Sequence, residues 1–156
     1  MTAQVSQQRG ITLIEMVAVL VVLSLLAAMA TPRFYNASQG AHTPIALTGA
    51  NAFRSGAALI RTKWVLGGST GGVMVSANGW PDGSGGGNMT AGTCMTAFND
   101  VVQTQAPVTT GISWNSDGWG TWGFGAWCVF VYQPDTSPYR YIIYNVTTGL
   151  IDYIEV

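Results

Sequence analysis

One apolar stretch near the N-terminus constrains this chain more than any other feature. It runs from Ile11 to Ala30, and Glu15 is the only ionisable side chain among its twenty residues. A helix of that length spans about 30 Å at about 1.5 Å per residue, which matches the hydrocarbon thickness of a membrane. A carboxylate inside such a span costs about 2.5–3.5 kcal/mol at the centre and less towards the end. Glu15 therefore needs a partner that a plain membrane anchor does not provide.

Two ordinary interpretations explain the stretch incompletely. Ala28-Met29-Ala30 fits the small-x-small cleavage pattern of a secretory signal peptide. The apolar run is, however, longer than the usual run of about 7–15 residues, and it contains an acid. A simple membrane anchor agrees with the length and leaves Glu15 unexplained.

The start of the run carries a more specific pattern. Residues 1–10 end at Gly10, Ile11 follows, Glu15 is the fifth residue counted from Ile11, and Pro32 lies just past the run. This arrangement resembles the N-terminus of type IV prepilins, in which a short leader ending in glycine is removed and the fifth mature residue is glutamate. The resemblance implies cleavage after Gly10 and N-methylation of Ile11. The family usually has Phe, Met or Leu at the first mature position, so Ile11 departs from its pattern.

The resemblance also implies an organisation of the chain and a place in the cell. Residues 1–10 would be the leader, residues 11–31 a transmembrane and filament-core helix, and residues 32–156 a globular pilin domain that includes the second half of the helix. The precursor would lie in the inner membrane and the mature subunit in an extracellular pilus on the bacterial surface, used for adhesion or motility. Its partners would be a prepilin peptidase, the pilus assembly machinery and copies of itself in a helical homopolymer.

The expected role of Glu15 follows from its charge. After cleavage, its carboxylate can pair with the α-amino group of Ile11 in a neighbouring subunit. Opposite charges attract strongly in a low dielectric, and each would be costly there alone. Such a pair would set the axial register of assembly. The alternative is that Glu15 lies close enough to the membrane edge to reach water.

The whole chain is poor in charge. Charged residues make up 8% of it and the formal net charge is −1, whereas ordinary soluble domains are roughly 25% charged. The sequence has no basic patch, so it does not favour nucleic-acid binding. A surface with so little charge suits a protein that buries much of itself against its own copies.

The chain has two cysteines, Cys94 and Cys128. An exported domain in an oxidising compartment is expected to pair them, and the alternative is two buried free thiols. Neither has a CxxC neighbour and His42 is the only histidine, so we expect no metal site and no cofactor. No carboxylate pair stands at a useful spacing and no nucleophile stands beside His42, so we do not expect an enzyme.

An amphipathic helix is expected to continue beyond the apolar run. Its apolar residues recur at alternating steps of four and three, at Ala46, Ala50, Phe53, Ala57, Ile60 and Trp64. That spacing is typical of one helix face, and Gly67-Gly68 should end the helix. Pro32 and Pro44 lie between the two segments. A kink or partial unwinding is expected there, because proline removes a helical hydrogen bond and clashes with the preceding turn.

The remaining residues are expected to form loops, a short helix and a sheet. Glycine-rich turns fill residues 67–92, and a helix runs from Cys94 to Gln105 and stops before Pro107. Strands are expected at residues 112–114, 126–132, 139–146 and 150–156. Short connections make neighbouring strands antiparallel. The result is an α+β architecture, a long N-terminal helix on a small antiparallel sheet, which is also the type IV pilin fold that the resemblance implies.

Aromatic residues separated by glycines fill the segment from Trp114 to Trp127. Trp119, Trp122 and Phe124 can form an exposed patch that stacks on sugars or docks a partner. The alternative is that these rings pack into the domain core or against the next subunit.

Two other functions agree with part of the sequence. A pseudopilin of a type II secretion system resembles the same N-terminus, but major pseudopilins usually lack a C-terminal disulfide and carry a calcium loop. The segment from Cys94 to Pro107 is faintly similar to mannose-sensitive haemagglutinin pilins. The second alternative is a secreted carbohydrate-binding domain cut after Ala30. N-terminal sequencing of the exported protein separates it from a pilin, because the first residue would be Thr31 instead of Ile11.

The cleavage site gives the first test. Gly10→Leu should leave an uncut precursor in the inner membrane, because the peptidase that the resemblance implies needs a small residue at the cut. Immunoblotting of membrane and surface fractions measures the two sizes. Subunits of mature size on the surface of the Gly10→Leu strain would mean that the cut lies elsewhere.

Overall fold

The computed structural model describes residues 12–103 and 106–156, without the side chains of residues 36, 38 and 39. Gly10 and Ile11 lie outside the described residues. The chain divides between Gln39 and Gly40 into two compact units, and each is described by itself. Its elements in chain order are the helices and strands α1 Leu13–Val65, α2 Ala91–Val101, β1 Val108–Thr110, β2 Trp119–Phe124, β3 Trp127–Tyr132, β4 Arg140–Asn145 and β5 Ile151–Glu155.

The N-terminal unit consists of the first part of α1. An 18-residue window in this helix has a mean hydropathy of 2.6 and none of it is buried. Leu13 is 83% exposed and Leu20 is 60% exposed. By length and composition the helix could cross a membrane, and it is the one helix among the described residues that could.

Both prolines lie inside α1. The helix continues without interruption through Pro32 and through Pro44, so neither proline unwinds it. A proline inside a helix still removes one backbone hydrogen bond. A kink at Pro32 or Pro44 stays a prediction.

The second part of α1 has the apolar stripe that its sequence predicts. Ala46, Ala50, Phe53 and Ala57 have no exposed surface, and Ile60 is 7% exposed. The prediction was wrong for Trp64, which was expected on the buried stripe but is 39% exposed. It lies at the end of the helix, where the Arg61 guanidinium stacks on its ring at 4.7 Å from the centroid.

Glycine ends α1 as expected. Gly67 has a φ of +66°, in the left-handed region that glycine adopts without strain. Its N–H donates to the Trp64 carbonyl at 3.0 Å, and the Gly68 N–H donates to the Lys63 carbonyl at 2.9 Å. These two bonds form a Schellman motif, which satisfies carbonyls that the helix end leaves open.

The second helix begins earlier than its apolar spacing suggests. Thr90 is the N-cap, and its side chain and that of Thr93 each bond the other's backbone N–H. With this capping box α2 starts at Ala91, and the helix buries Cys94 and Phe98. The helix ends at Val101; the expected C-terminal residue, Gln105, lies outside the described residues.

The five strands form one sheet in the order β1-β2-β3-β4-β5. Strands β2 to β5 pair antiparallel, as expected, but β1 pairs parallel to β2, so the sheet is mixed. Residues 112–114 are not a strand; the paired segment is Val108–Thr110. Gly111, with a φ of +88°, turns the chain away from β1. The loop over residues 111–118 then returns the chain, so that β2 runs in the same direction as β1.

The side of the sheet that carries Trp119 and Phe130, called here the inner face, packs against both helices. Phe53 of α1 lies at the centre of this core, with ring centroids 5.5 Å from Phe98, 5.1 Å from Phe130 and 5.0 Å from Tyr144. The expected disulfide is confirmed between Cys94 of α2 and Cys128 of β3. It fastens α2 to the middle of the sheet. The observed architecture is α+β and fits the type IV pilin fold.

Opening the disulfide should lower thermal stability. By the chain-entropy model, Cys94→Ser should cost about 3 kcal/mol and lower the Tm of the domain by about 10 °C. Calorimetry of the detergent-solubilised full chain measures this change. The double variant Cys94→Ser/Cys128→Ser should match the single one, because one substitution already opens the bond. An unchanged Tm would show that the bond does not stabilise the fold.

Candidate functional site

The first candidate site is the start of α1, where Thr12 and Glu15 bond each other. The backbone N–H and the hydroxyl of Thr12 both donate to Glu15 Oε2 at 2.8 Å. The Glu15 N–H donates back to Thr12 Oγ1 at 3.4 Å. This is a capping box, which satisfies amide groups at a helix N-terminus. No hydrogen bond among the described residues uses Glu15 Oε1.

Sequence reasoning missed the role of Thr12. The signal was present, because Thr12-Leu13-Ile14-Glu15 matches the Ser/Thr-x-x-Glu signature of a capping box. Glu15 thus has a local partner, which lowers the cost of placing its carboxylate at this end of the apolar helix. The negative charge itself remains uncompensated by Thr12, which is neutral.

The sequence-predicted neighbours of Glu15 cannot be placed beside it. Gly10 and Ile11, the residues on either side of the expected cut, lie outside the described residues. Cleavage, N-methylation and the assembly role of Glu15 therefore stay predictions.

The second candidate site is the aromatic segment, and the structure divides its three residues. Trp122 is 63% exposed and Phe124 is 74% exposed. Trp119 is a correction: it is 4% exposed and lies 5.5 Å from the Phe98 ring, in the core. The reason is the strand itself. Side chains in β2 alternate between the two faces, so Trp119 points inwards whereas Trp122 and Phe124 point outwards.

An ionic cluster around the buried Arg140 joins four elements of the domain. Arg140 of β4 is 2% exposed, and its guanidinium meets the Asp135 carboxylate at 3.0 Å and the Glu155 carboxylate at 3.3 Å. Thr43 of α1 accepts a hydrogen bond from Arg140 Nε and donates one to Glu155 Oε1. The cluster holds β5 and the loop before β4 against α1. Spacing in the sequence did not indicate it, because its members are scattered between residues 43 and 155.

The pKa values of both carboxyl groups lie below their ordinary range. Burial raises the pKa of Asp135, but hydrogen bonds from Arg140 and from the Ser137 N–H outweigh burial and lower it. The hydrogen bond from Thr43 lowers the pKa of Glu155, and burial opposes it. Both groups are therefore charged at neutral pH and balance the buried guanidinium.

No cluster of three or more metal-binding side chains occurs in the part of the chain that the structure describes. The glycine-rich loop is instead organised by Asp82, which is 1% exposed. Its carboxylate accepts hydrogen bonds from the N–H groups of Ser84, Gly85 and Gly86 at 2.6–3.0 Å. These bonds give the buried charge a structural role within the loop.

The N-terminal site is the one that comparison with known proteins identifies. The family model described as the prokaryotic N-terminal methylation motif matches residues 5–31. This match supports a type IV pilin-like or prepilin-like protein. The match includes Gly10, Ile11 and Glu15 and stops before the second compact unit. No curated protein and no solved structure matched the chain.

The Arg140 cluster gives a stability test that depends on pH. Asp135→Asn should destabilise the domain by about 3 kcal/mol at pH 7, because it leaves a buried guanidinium with one carboxylate. Folding lowers the pKa of Asp135, so its stabilisation is present above the unfolded pKa of about 3.9. It is lost as the pH falls through the folded pKa. Urea unfolding should therefore separate wild type from Asp135→Asn at pH 7 and bring them together in acid, once the pH is below the lowered pKa of Asp135 in the folded state.

The matched control is Asp152→Asn, which removes the same charge from an exposed position on β5. It should change stability little at either pH. An equal loss in both variants at pH 7 would contradict a specific role of the buried pair.

Proposed function

We propose that this protein is a structural subunit of a type IV pilus filament, cut after Gly10 and polymerised through its N-terminal helix for surface adhesion or motility. One observation carries the proposal: the methylation motif overlaps an apolar helix of which an 18-residue window has no buried residue. A motif family of this kind is structural rather than catalytic, and we infer that the subunit is not an enzyme.

The exposed helix explains how one chain can serve both a membrane and a filament. Residues such as Leu20, Leu23 and Leu26 are 55–60% exposed and have no apolar layer of their own. Lipid supplies such a layer before assembly, and equally apolar neighbouring helices can supply it afterwards. Contacts that repeat head to tail without closing produce an open helical filament.

Glu15 supplies what apolar packing lacks, which is a fixed register. We infer that its carboxylate pairs with the α-amino group that cleavage creates on Ile11 of a neighbouring subunit. Thr12 occupies Oε2, and Oε1 can take the amine. An ion pair in a low-dielectric filament core would penalise any offset that left either charge alone.

The remaining partners and locations follow from this proposal. A prepilin peptidase would remove residues 1–10, the pilus assembly machinery would extract the subunit from the inner membrane, and the filament would be extracellular. A type II secretion pseudopilin is the alternative that the motif supports equally. The Cys94–Cys128 disulfide favours the pilus, since major pseudopilins usually lack such a bond.

The pairing role of Glu15 is tested by removing its charge. Glu15→Ala should insert and be cut normally, because the helix becomes more apolar and Gly10 is intact. Polymerisation should fail, so that processed subunit accumulates in the membrane with at least about a tenfold loss of surface filaments, since an unpaired buried charge costs about 3–5 kcal/mol. Electron microscopy of sheared filaments and immunoblotting of membranes measure both quantities.

Two further variants separate the charge from the helix cap. Glu15→Gln keeps a side chain that can complete the capping box but removes the charge, so it should also be impaired. Thr12→Val removes the cap hydroxyl and keeps the charge, so it should assemble better than either Glu15 variant. Filaments at wild-type abundance from Glu15→Ala would refute the pairing mechanism.

A further inference from the structure

Strand β3 is apolar on both faces of the sheet. In β3, Cys128, Phe130 and Tyr132 point to the inner face, and Trp127, Val129 and Val131 alternate with them on the opposite side. An antiparallel sheet that faces water on one side usually reads as apolar alternating with polar. A strand without polar positions is typical of a sheet that is covered on both faces. The helices cover only the inner face.

The opposite side carries two shallow cavities that meet at Val129. The first has a volume of about 300 Å³ and is lined by Trp122, Phe124, Trp127 and Val129. The second has a volume of about 330 Å³ and is lined by Trp114, Val129, Val131, Tyr139, Tyr141 and Val156. The side chains that line these two cavities are called here the outer aromatic face.

Charge and exposure distinguish this face from the rest of the surface. None of its lining side chains carries a formal charge. Asp152 of β5 lies on the same side of the sheet, opposite Ile143, which in turn pairs with Val129. Trp122 and Phe124 are among its most exposed residues, at 63% and 74%. Aromatic rings exposed to this extent and grouped with valines form an apolar patch of the kind that marks an interaction site.

The chemistry of the first cavity, which contains the exposed Trp122 and Phe124, favours a protein partner over a sugar. A sugar stacked on a ring also needs polar groups that bond its hydroxyls, and specific ligand sites provide a few such groups at fixed positions. The first cavity is lined by two tryptophans, a phenylalanine and a valine. Its only polar groups are two indole N–H donors, and it has no side-chain acceptor.

We propose that the outer aromatic face binds the same face of a second copy of this chain, so that neighbouring filaments associate laterally. An uncharged face can meet its own copy without like-charge repulsion. A two-fold axis near the shared Val129 would place the exposed Trp122 of each copy over the second cavity of the other. Such an isologous contact uses one patch twice.

The size of the face predicts a contact that is weak singly and strong in an array. Each aromatic side chain carries about 150–250 Å², so the six at least partly exposed rings present several hundred Å². That is below the roughly 800 Å² per partner of a stable interface. Many copies along two parallel filaments would act together, because each contact after the first is effectively intramolecular. This array argument rests on the proposed function, whereas the self-association of the face does not.

Filament bundling tests the proposal. Trp122→Ser and Phe124→Ser each remove one exposed anchor and should reduce bundling by at least about tenfold, measured by light scattering and electron microscopy of purified filaments. The amount of filament should remain normal, because neither ring lies in the core. The control Leu66→Ser removes an apolar side chain that is 78% exposed at the end of α1 and should leave bundling unchanged.

The salt dependence is a second measurement. An apolar contact should persist at 0.5 M salt, whereas a contact between charged rims would be screened at that concentration. Bundling that dissolves in salt, or that survives both aromatic substitutions, would overturn the proposal. So would wild-type filaments that remain single and bind insoluble β-linked polysaccharide through Trp122.

The test also separates this inference from the filament itself. If the wild type forms no filaments, the proposed function fails. The face is then tested by sedimentation of the detergent-solubilised full chain. Self-association that is lost in Trp122→Ser and kept in Leu66→Ser supports the face, and a wild-type monomer at all concentrations overturns it.

Discussion

An apolar helix without a covering layer is the constraint on which the rest of this protein depends. From Leu13 onward the apolar side chains of the first part of α1 are exposed. Exposing this much apolar surface to water along a whole helix is unfavourable. Every environment that suits such a helix is apolar, either lipid or other helices like it. A single carboxylate at its start then has a large effect, since a charge is costly wherever an apolar residue is stable. Thr12 reduces that cost locally without neutralising the charge.

The globular unit solves a different problem, which is stability in a small domain with little charge. Its core is a group of rings around Phe53, and the Cys94–Cys128 bond fastens α2 to the sheet. The Arg140 cluster ties the last strand to α1 through Thr43. Buried ion pairs are weak evidence of stability in general, because desolvation offsets their attraction. Here the cluster's clearer effect is positional, since it specifies where β5 and the loop before β4 must lie.

The two faces of the sheet divide the domain between folding and association. The inner face is used within the chain, and its residues are buried by α1 and α2. The outer aromatic face has a similar apolar character, and Trp122 and Phe124 on it are 63% and 74% exposed. In an antiparallel sheet with one face in water, that face usually carries polar side chains. The low content of charged residues, 8% of the sequence, agrees with a molecule whose surfaces contact copies of itself.

Sequence alone determined the features that depend on neighbouring residues. The apolar run follows from composition and the position of Glu15 from its offset to Gly10. The stripe from Ala46 to Ile60 follows from steps of four and three residues, and the cap from the glycine at position 67. Such local spacing fixes a helix face before any tertiary contact forms. The disulfide was also predictable, because the domain has only two cysteines and an N-terminus typical of exported proteins.

Only the tertiary structure decided the rest. β2 was not predicted, because its glycines disfavour strands and its pairing partners lie elsewhere in the chain. The pairing of β2 with β3 places Trp119 in the core and Trp122 on the outer side. A shift of the pairing register by one residue would move each side chain to the opposite face. The parallel pairing of β1 with β2 depends on the path of the loop over residues 111–118. Arg140 was buried by groups from distant segments. These outcomes are set by contacts between distant residues, which local patterns do not encode.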